Sequence, residues 1–336
     1  MTKSPASRER VVDITRRSLL QSAPAVALTL AGSRSASRAA EWPSRPVTIL
    51  IPYAPGGISD TMGRMLAQSM TEKFRQSFIV DNRAGGSGVI ATTAVANAEP
   101  DAHMLLFCPP AQVITVPALQ KVSYNPDHLV PVSNFASYPF LVGIKSSIPA
   151  KTLAEFIAYA KARPGKLNYS SAGFGAISHL VTALFLARAG LDVVHVPYKG
   201  AAPATVALLS GEVDLFFANS SELIPHLSND MIRIIATSGF KRLPNLPDIP
   251  PVGDTLPGFG VDSWNGIFAP PGTPREIVDK IARAMIETVK SPPMVSRLGQ
   301  LSIYPEGSTP EEFVKLIAKD KQFYLEAIKA AGVAPA

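Results

Sequence analysis

From residue 46 onward, short and nearly continuous apolar runs alternate with longer stretches whose apolar residues recur at helical spacing. The runs VTILIPY (47–53), FIVDN (78–82), MLLFC (104–108) and FLVGI (140–144) have the length and side-chain content of buried strands. LNYSSA (167–172), VVHVPY (193–198), LFFAN (215–219) and IRIIATS (232–238) follow the same pattern. Between the first two runs, Met62, Met65, Leu66, Met70 and Phe74 share one helical face, with Ser59 or Asp60 placed to cap its start. TLAEFIAYAKARPG (152–165) opens with Thr152 and Glu155 at capping-box spacing and closes on Pro164-Gly165. PATVALLSG (203–211) and PREIVDKIARAMIETVK (274–290) each carry a proline near their start, where a helix tolerates it. This alternation predicts an α/β protein with parallel sheets covered by helices on both faces. Proline-rich connections at 122–139 and 241–260 interrupt the series, and a last helical block covers 310–331. Two α/β units joined by more than one crossing are expected, the tail helices returning to the first unit.

Charge sharpens this picture by its location. The net charge is +6, but residues 1–40 hold seven Lys/Arg against two acids, and the remainder is near balance with 25 basic and 24 acidic groups. A basic stripe for nucleic acid is therefore not expected beyond residue 40. The first segment reads as an export signal: ITRRSLLQ (14–21), the apolar APAVALTLAG (23–32), then the small residues of SASRAA (35–40). Its apolar run is shorter than the ~20 residues needed to span a bilayer. Thr-Arg-Arg-x-Leu-Leu resembles a twin-arginine signal, with a general secretory signal as the alternative and cleavage placed before Glu41. A periplasmic protein that does not span the membrane follows. Cys108 is the single cysteine, so an intrachain disulfide and a cysteine-based metal cluster are excluded.

Three glycine-bearing turns lie between a strand and a helix: PGGISD (55–60), RAGGSGVIATTAV (83–95) and NYSSAGFGAISHL (168–180). Helix starts suit anions, because free N–H groups and the helix dipole both point there. Three such turns in a two-unit α/β chain predict the rim of a ligand cleft. The chemistry of catalysis is not signalled. GSGVIA (86–91) fits G-x-G-x-x-A, but Arg83, Ala84 and Gly85 separate it from its strand and the next strand ends in Cys-Pro-Pro rather than an acid. The Gly-Lys-Ser/Thr of a phosphate loop and the G-x-S-x-G elbow are absent. Ser178 and His179 are adjacent on a helix and diverge by roughly 100°. The five histidines lack metal-ligand spacing, so neither metal nor cofactor is expected.

WPSRPVTILIPYAPGGISDTMGRMLAQSM, VDNRAGGSGVIATTAVANAEPDAHMLLF, LNYSSAGFGAISHL, VPYKGAAPATVALLSGEVDLFF and FAPPGTP occur in that order from about Trp42. Together they resemble the Bug-type periplasmic solute-binding receptors of tripartite tricarboxylate transporters. The resemblance implies a type II periplasmic-binding-protein fold, two α/β lobes closing on a small organic carboxylate. Its lobe boundaries are 41–143 plus 264–336, and 144–263. It also implies a membrane permease as partner, a monomer, no cofactor and no catalysis. By motif match the carboxylate is held by Gly56, Gly57, Ile58, Ser59 and Asp60, with Ser171, Ala172, Gly173, Phe174, Gly175 and Ser178. His179 reads equally as a ligand contact or a packed helix residue. Tyr198 ends a strand toward the cleft, Asn219 is placed at it, and Trp264 flanks the mouth or packs in the core.

Two departures bear on the ligand. Many members read Phe-Asp-Asn where this chain has Phe217-Ala218-Asn219, and amino-acid-binding members use the acid to meet the ammonium. Ala218 therefore argues against an amino acid. The strand MLLF runs into Cys108-Pro109-Pro110-Ala111-Gln112, where proline removes donors from the cleft wall. Ile58 and Phe174 favour a ligand with an apolar body. A ligand sensor reporting to a signalling partner, and a small-acid-processing enzyme, remain as alternatives.

Overall fold

Every apolar run read from the sequence contains a strand or is part of one. The computed structural model describes residues 42–330 and 332–333; the expected export signal and its cleavage point lie outside them. The chain begins with β1 (Val47–Ile51), α1 (Ile58–Phe74), β2 (Phe78–Asn82), α2 (Val89–Ala96), β3 (Met104–Cys108), α3 (Thr115–Leu119) and β4 (Val130–Lys145). It continues through α4 (Leu153–Lys161), β5 (Asn168–Ser171), α5 (Ile177–Ala189), β6 (Val194–Pro197), α6 (Ala201–Leu209), β7 (Leu215–Asn219), α7 (Ser220–Leu223) and β8 (Ile232–Thr237). Then follow β9 (Asp262–Ala269), α8 (Arg275–Val289), α9 (Pro292–Gly299), β10 (Tyr304–Pro305) and α10 (Pro310–Ala330).

The strands run in the order β2-β1-β3-β9-β4-β7-β5-β6, with β8 and β10 also paired to β4. Strand β4 is the seam between two sheets. Its residues 130–139 pair with β9, and residues 140–145 pair with β7 and β8. The chain crosses a second time between β8 and β9, which belong to different sheets.

Three expectations need correction. The sheets are mixed rather than parallel: β1, β2 and β3 are parallel, as are β5, β6 and β7, but β9 and β4 join them antiparallel. A returning strand that reaches its neighbour without a helical crossover pairs in this way. The proline-rich connection over 122–139 is strand from Val130 onward. Prolines lack a ladder donor and settle at irregular points. Pro131 stands at a register shift, and Pro139 stands where β4 passes from one sheet to the other. Finally, α1 is capped by Gly57, not Ser59 or Asp60. Asp60 works from inside the first turn instead, accepting from the Gly56 N–H at 3.0 Å.

The period of two along each strand sorts its side chains between packed layers. Ile49 and Ile51 pack with Met62, Leu66, Ile281 and Met285 from α1 and α8, so α8 covers the first sheet. Leu50 points the other way, into a cluster that runs on beneath the second sheet through Val142, Phe185 and Phe217. Leu141, Phe216, Leu208 and Leu223 form the remaining layer. Truncating one of these fully buried side chains to alanine costs about 2–5 kcal/mol. Cys108 is buried and free, and burial pushes its thiol pKa well up, as a structural thiol requires.

Candidate ligand-binding site

A cleft is lined from both sheets. The β1–α1 connection contributes Tyr53, Ala54, Gly57, Ile58, Ser59 and Asp60. The β5–α5 connection contributes Ala172, Ala176, Ile177 and Ser178, and the end of β7 with α7 contributes Asn219 and Glu222. Tyr138 and Phe140 of β4, Ser263 of β9, Pro109 and Ala201 complete the lining. Two long helices start at this cleft. α1 begins after Gly57 and α5 after Ala176, and neither has a side-chain cap. The first-turn N–H groups of such helices have no intrahelical acceptor, and the dipole adds positive potential there.

The Pro-Gly-Gly turn is held by carboxylates. Gly56 sits at φ +92°, a conformation that favours glycine. Its N–H reaches Asp60, whose carboxylate also pairs with Arg64 at 3.0 Å. Desolvation works against that charge, yet hydrogen bonds from Arg64, Gly56 and Asn82 hold the Asp60 carboxyl below its ordinary range. The Ile58 N–H donates to Glu222 Oε1 at 3.2 Å, across 164 residues of sequence. Asn265 of β9 donates to Ser59 Oγ at 2.8 Å and accepts from the Tyr138 hydroxyl at 2.6 Å.

The Ser-Ala-Gly-Phe-Gly turn is held by hydroxyls and imidazoles. The Ala172 N–H donates to Ser178 Oγ at 3.0 Å, and the Gly173 N–H to Ser171 Oγ at 3.2 Å. The Gly175 N–H donates to His179 Nδ1 at 3.1 Å. The His179 ring stacks on His195 at 4.0 Å, which stacks in turn on Tyr169 at 4.8 Å. Burial lowers the His179 pKa to about 4; burial and the neighbouring His179 lower that of His195 to about 3. Both rings are neutral near pH 7, as an Nδ1 acting as acceptor requires.

Glu222 was not anticipated. It closes a capping box on α7, accepting the Asn219 N–H at 2.8 Å on Oε2 and the Asn219 side-chain amide at 2.7 Å on Oε1. Burial raises its pKa to about 7 against the pull of those bonds. Asn219-Ser220-Ser221-Glu222 after the strand LFFAN is a legible capping-box spacing. The reach of Glu222 to Ile58 is not.

Of the residues expected at the site, the cleft brings together Gly57, Ile58, Ser59, Asp60, Ala172, Ser178 and Asn219. Gly56 is an exposed member of the first turn that does not line the cleft, and Ser171 supports the second turn from behind. Gly173, Phe174 and Tyr198 line an adjoining cavity, shared with Gly85 to Gly88 of the third glycine turn. The Tyr198 hydroxyl is engaged by Glu212 at 2.7 Å. Gly175 and His179 lie beneath the turn. Trp264 is in the core: it packs edge-on against Phe313, and its Nε1–H donates to Asp320 at 2.6 Å. Among the described residues no lining side chain of the cleft is basic. Also among them, no cluster of three or more potential metal ligands occurs, and no helix is long and apolar enough to cross a membrane.

The comparisons with known proteins agree with this geometry. Residues 62–333 match the family described as Tripartite tricarboxylate transporter family receptor. A UPF0065 protein from the tcbD-tcbE intergenic region of Pseudomonas sp. (strain P51) is 33% identical over 321 residues, 95% of each chain. An R. palustris protein solved with adipate is 32% identical, with a TM-score of 0.86 over 88% of this chain and 100% of that one. The periplasmic binding protein BugD is 31% identical, with a TM-score of 0.83 over 87% of this chain and 99% of its own. The chain therefore belongs to the receptor family of tripartite tricarboxylate transporters, of the Bug type, with its type II periplasmic-binding-protein fold of two α/β lobes and a cleft between them.

Proposed function

We propose that the protein is a periplasmic receptor that captures a small organic carboxylate by lobe closure and delivers it to a tripartite membrane permease. The observation that carries this reading is the pair of helix starts, α1 and α5, neither capped by its own N-cap side chain, facing one cleft from two sheets. Backbone N–H groups and dipoles neutralise an anion without a dedicated cation. The adipate-bound relative is consistent with that chemistry. In this reading the chain is exported and acts as a monomer. One lobe comprises residues 41–143 and 264–336, the other residues 144–263. Closure bends the crossings, near Pro139-Phe140 in β4 and between β8 and β9, and excludes water from the cleft.

Catalysis is not part of the proposal. Ser178 Oγ is occupied as the acceptor of the Ala172 N–H. The nearest serine–histidine contact, Ser171 Oγ to His195 Nε2 at 2.6 Å, is a support under the turn, and neither residue lines the cleft. The test is a thermal-shift panel of mono-, di- and tricarboxylates, aromatic acids, amino acids and nucleotides. Ligand that binds only the native state raises the unfolding temperature by mass action. Stabilisation by a carboxylate is expected; stabilisation by nucleotides alone would overturn the reading.

A further inference from the structure

We propose that the ligand is an α-amino acid with an apolar side chain, and that Glu222 selects it by receiving the ammonium group. This rests on the receptor reading above and narrows it to one class of carboxylate. The argument begins with a charge inventory. Two acids line the cleft, Asp60 and Glu222, and among the described residues no Lys, Arg or His lines it. Asp60 has its own cation in Arg64. Glu222 has none: its donors are the Ile58 N–H, the Asn219 N–H and the Asn219 side-chain amide, all neutral. A buried carboxylate without a cation is an expensive feature, and it favours a ligand that brings one.

Acceptor capacity points the same way. An ionised carboxylate offers about four lone-pair sites, and three are used here. One acceptor site remains on a side chain that is only 6% exposed and lines the cleft. A ligand N–H fills it. A ligand carboxylate fills it only while Glu222 keeps its proton, because two ionised carboxylates in one site repel, and at pH 8, above the Glu222 pKa of about 7, that route closes. Burial already raises the Glu222 pKa to about 7, and an ammonium neighbour reverses that by favouring the charged form.

Position fixes which ammonium. The free site is on Oε2, since Oε1 already accepts from the Ile58 N–H and the Asn219 side-chain amide; that Oε1 bond holds the whole carboxylate beside the first N–H of α1, the helix start that in this reading holds the ligand carboxylate. The cation must therefore sit directly beside the carboxylate, as in an α-amino acid, and not at the far end of a chain. Pro109, Phe140, Ile177 and Ala201 give part of the wall an apolar surface that suits a hydrocarbon side chain, beside the polar Tyr53, Ser59, Tyr138, Ser178 and Ser263. Ala218 argued against an amino acid at the sequence level. Its side chain lies in the core with Leu141 and Phe216, away from the cleft, while Glu222 brings an acid from the next helix.

The test uses isothermal titration of the purified protein at about pH 8. Leucine, isoleucine, methionine and phenylalanine are each compared with the matching acid that lacks the amino group, and with adipate. At least one amino acid is expected to bind about tenfold or more tighter than its des-amino counterpart and than adipate. Glu222→Gln is expected to weaken that amino acid and to bring the pair within about threefold, the des-amino acid being little changed. Wild-type preference for adipate or the des-amino acids overturns the inference and leaves the receptor reading standing. So does an unchanged ratio in E222Q. Absence of binding by every carboxylate overturns both. If E222Q does not fold, the wild-type comparison of each amino acid with its des-amino partner decides alone.

Discussion

On the α1 side of the cleft, Gly56 and Ile58 donate to carboxylates, Asp60 and Glu222. On the α5 side, Ala172, Gly173 and Gly175 donate to Ser178, Ser171 and His179. The two turns present the same chemistry to a ligand, glycine-rich backbone at a helix start, yet what stands behind each is opposite in character. One is propped by acids, and the buried one of them resists ionisation. The other is propped by two stacked imidazoles that resist protonation. The difference teaches that a neutral anion cradle still has a pH response, set by its supports, and that the two halves respond with opposite sign.

The comparison breaks most sharply at Gly57. Its φ of −82° is open to any residue, and a Cβ added there meets Ala201 Cβ and Glu222 Oε1 at 3.6 Å, ordinary contact distance. Valine is therefore expected to fold, with its branches filling the space where α1 meets the ligand. Gly57→Val should lower carboxylate affinity on the order of a thousandfold while the unfolding midpoint moves little. Calorimetric titration and urea unfolding of the same preparation check both halves. Retained affinity would take the Pro-Gly-Gly turn out of the site.

How far this was legible in the sequence depends on where each residue's partner lies. β1, β3 and β7 were readable because they are buried on both faces and so are largely apolar, whereas the edge strand β2 is buried only at Phe78 and was readable from its short β-branched run. β9 was not anticipated as a strand, since Asp262, Ser263, Asn265 and Gly266 break its apolar character. Those polar residues serve the seam: Asn265 is fully buried and ties Ser59 to Tyr138. The first half of β4 was hidden by Pro131 and Pro139, which a continuous central strand would exclude. In the site, the two glycine turns announced themselves locally. Tyr138, Phe140 and Ser263 arrive only through the pairing of β4 with β9 and β7. Glu222 was visible as a cap, but its bond to Ile58 is made by the fold.

The opposite supports predict opposite slopes of stability with pH. Glu222 has its pKa raised from the ordinary 4.5 to about 7, so its contribution is fully present below pH 4.5 and is lost as pH rises to about 7. The loss amounts to roughly 3 kcal/mol. His179 has its pKa lowered from 6.5 to about 4, so its contribution is fully present above pH 6.5 and is lost as pH falls toward 4, again by roughly 3 kcal/mol. The two trends oppose each other between about pH 4.5 and 6.5. Urea unfolding at half-unit steps across pH 4–7.5 should therefore show two separable changes. Glu222→Gln should remove the decline toward neutral pH and leave a steeper acid decline. His179→Gln should weaken the acid decline without abolishing it, because His195, its pKa lowered to about 3, keeps part of it. If both variants keep the wild-type slope, the pH response lies elsewhere than in these supports.

The mildest test asks whether the comparison is confined to the two turns. Trp264 stands in β9 next to Ser263, which lines the cleft, but its own side chain faces the core. Its indole N–H bonds Asp320, and its ring meets Phe313 edge-on at 5.0 Å. Phenylalanine keeps an aromatic ring there but removes the donor and the second ring of the indole, a small loss of packing. Burial already lifts the Asp320 pKa against the pull of that bond, so losing it pushes the carboxyl further toward its neutral form. Trp264→Phe is expected to cost about 1–2 kcal/mol of stability and to leave ligand affinity unchanged. Thermal unfolding and calorimetric titration read the two quantities separately. A loss of affinity comparable to that of Gly57→Val would show that the far face of β9 also sets the shape of the cleft, and that the ligand is held by the seam as well as by the two helix starts.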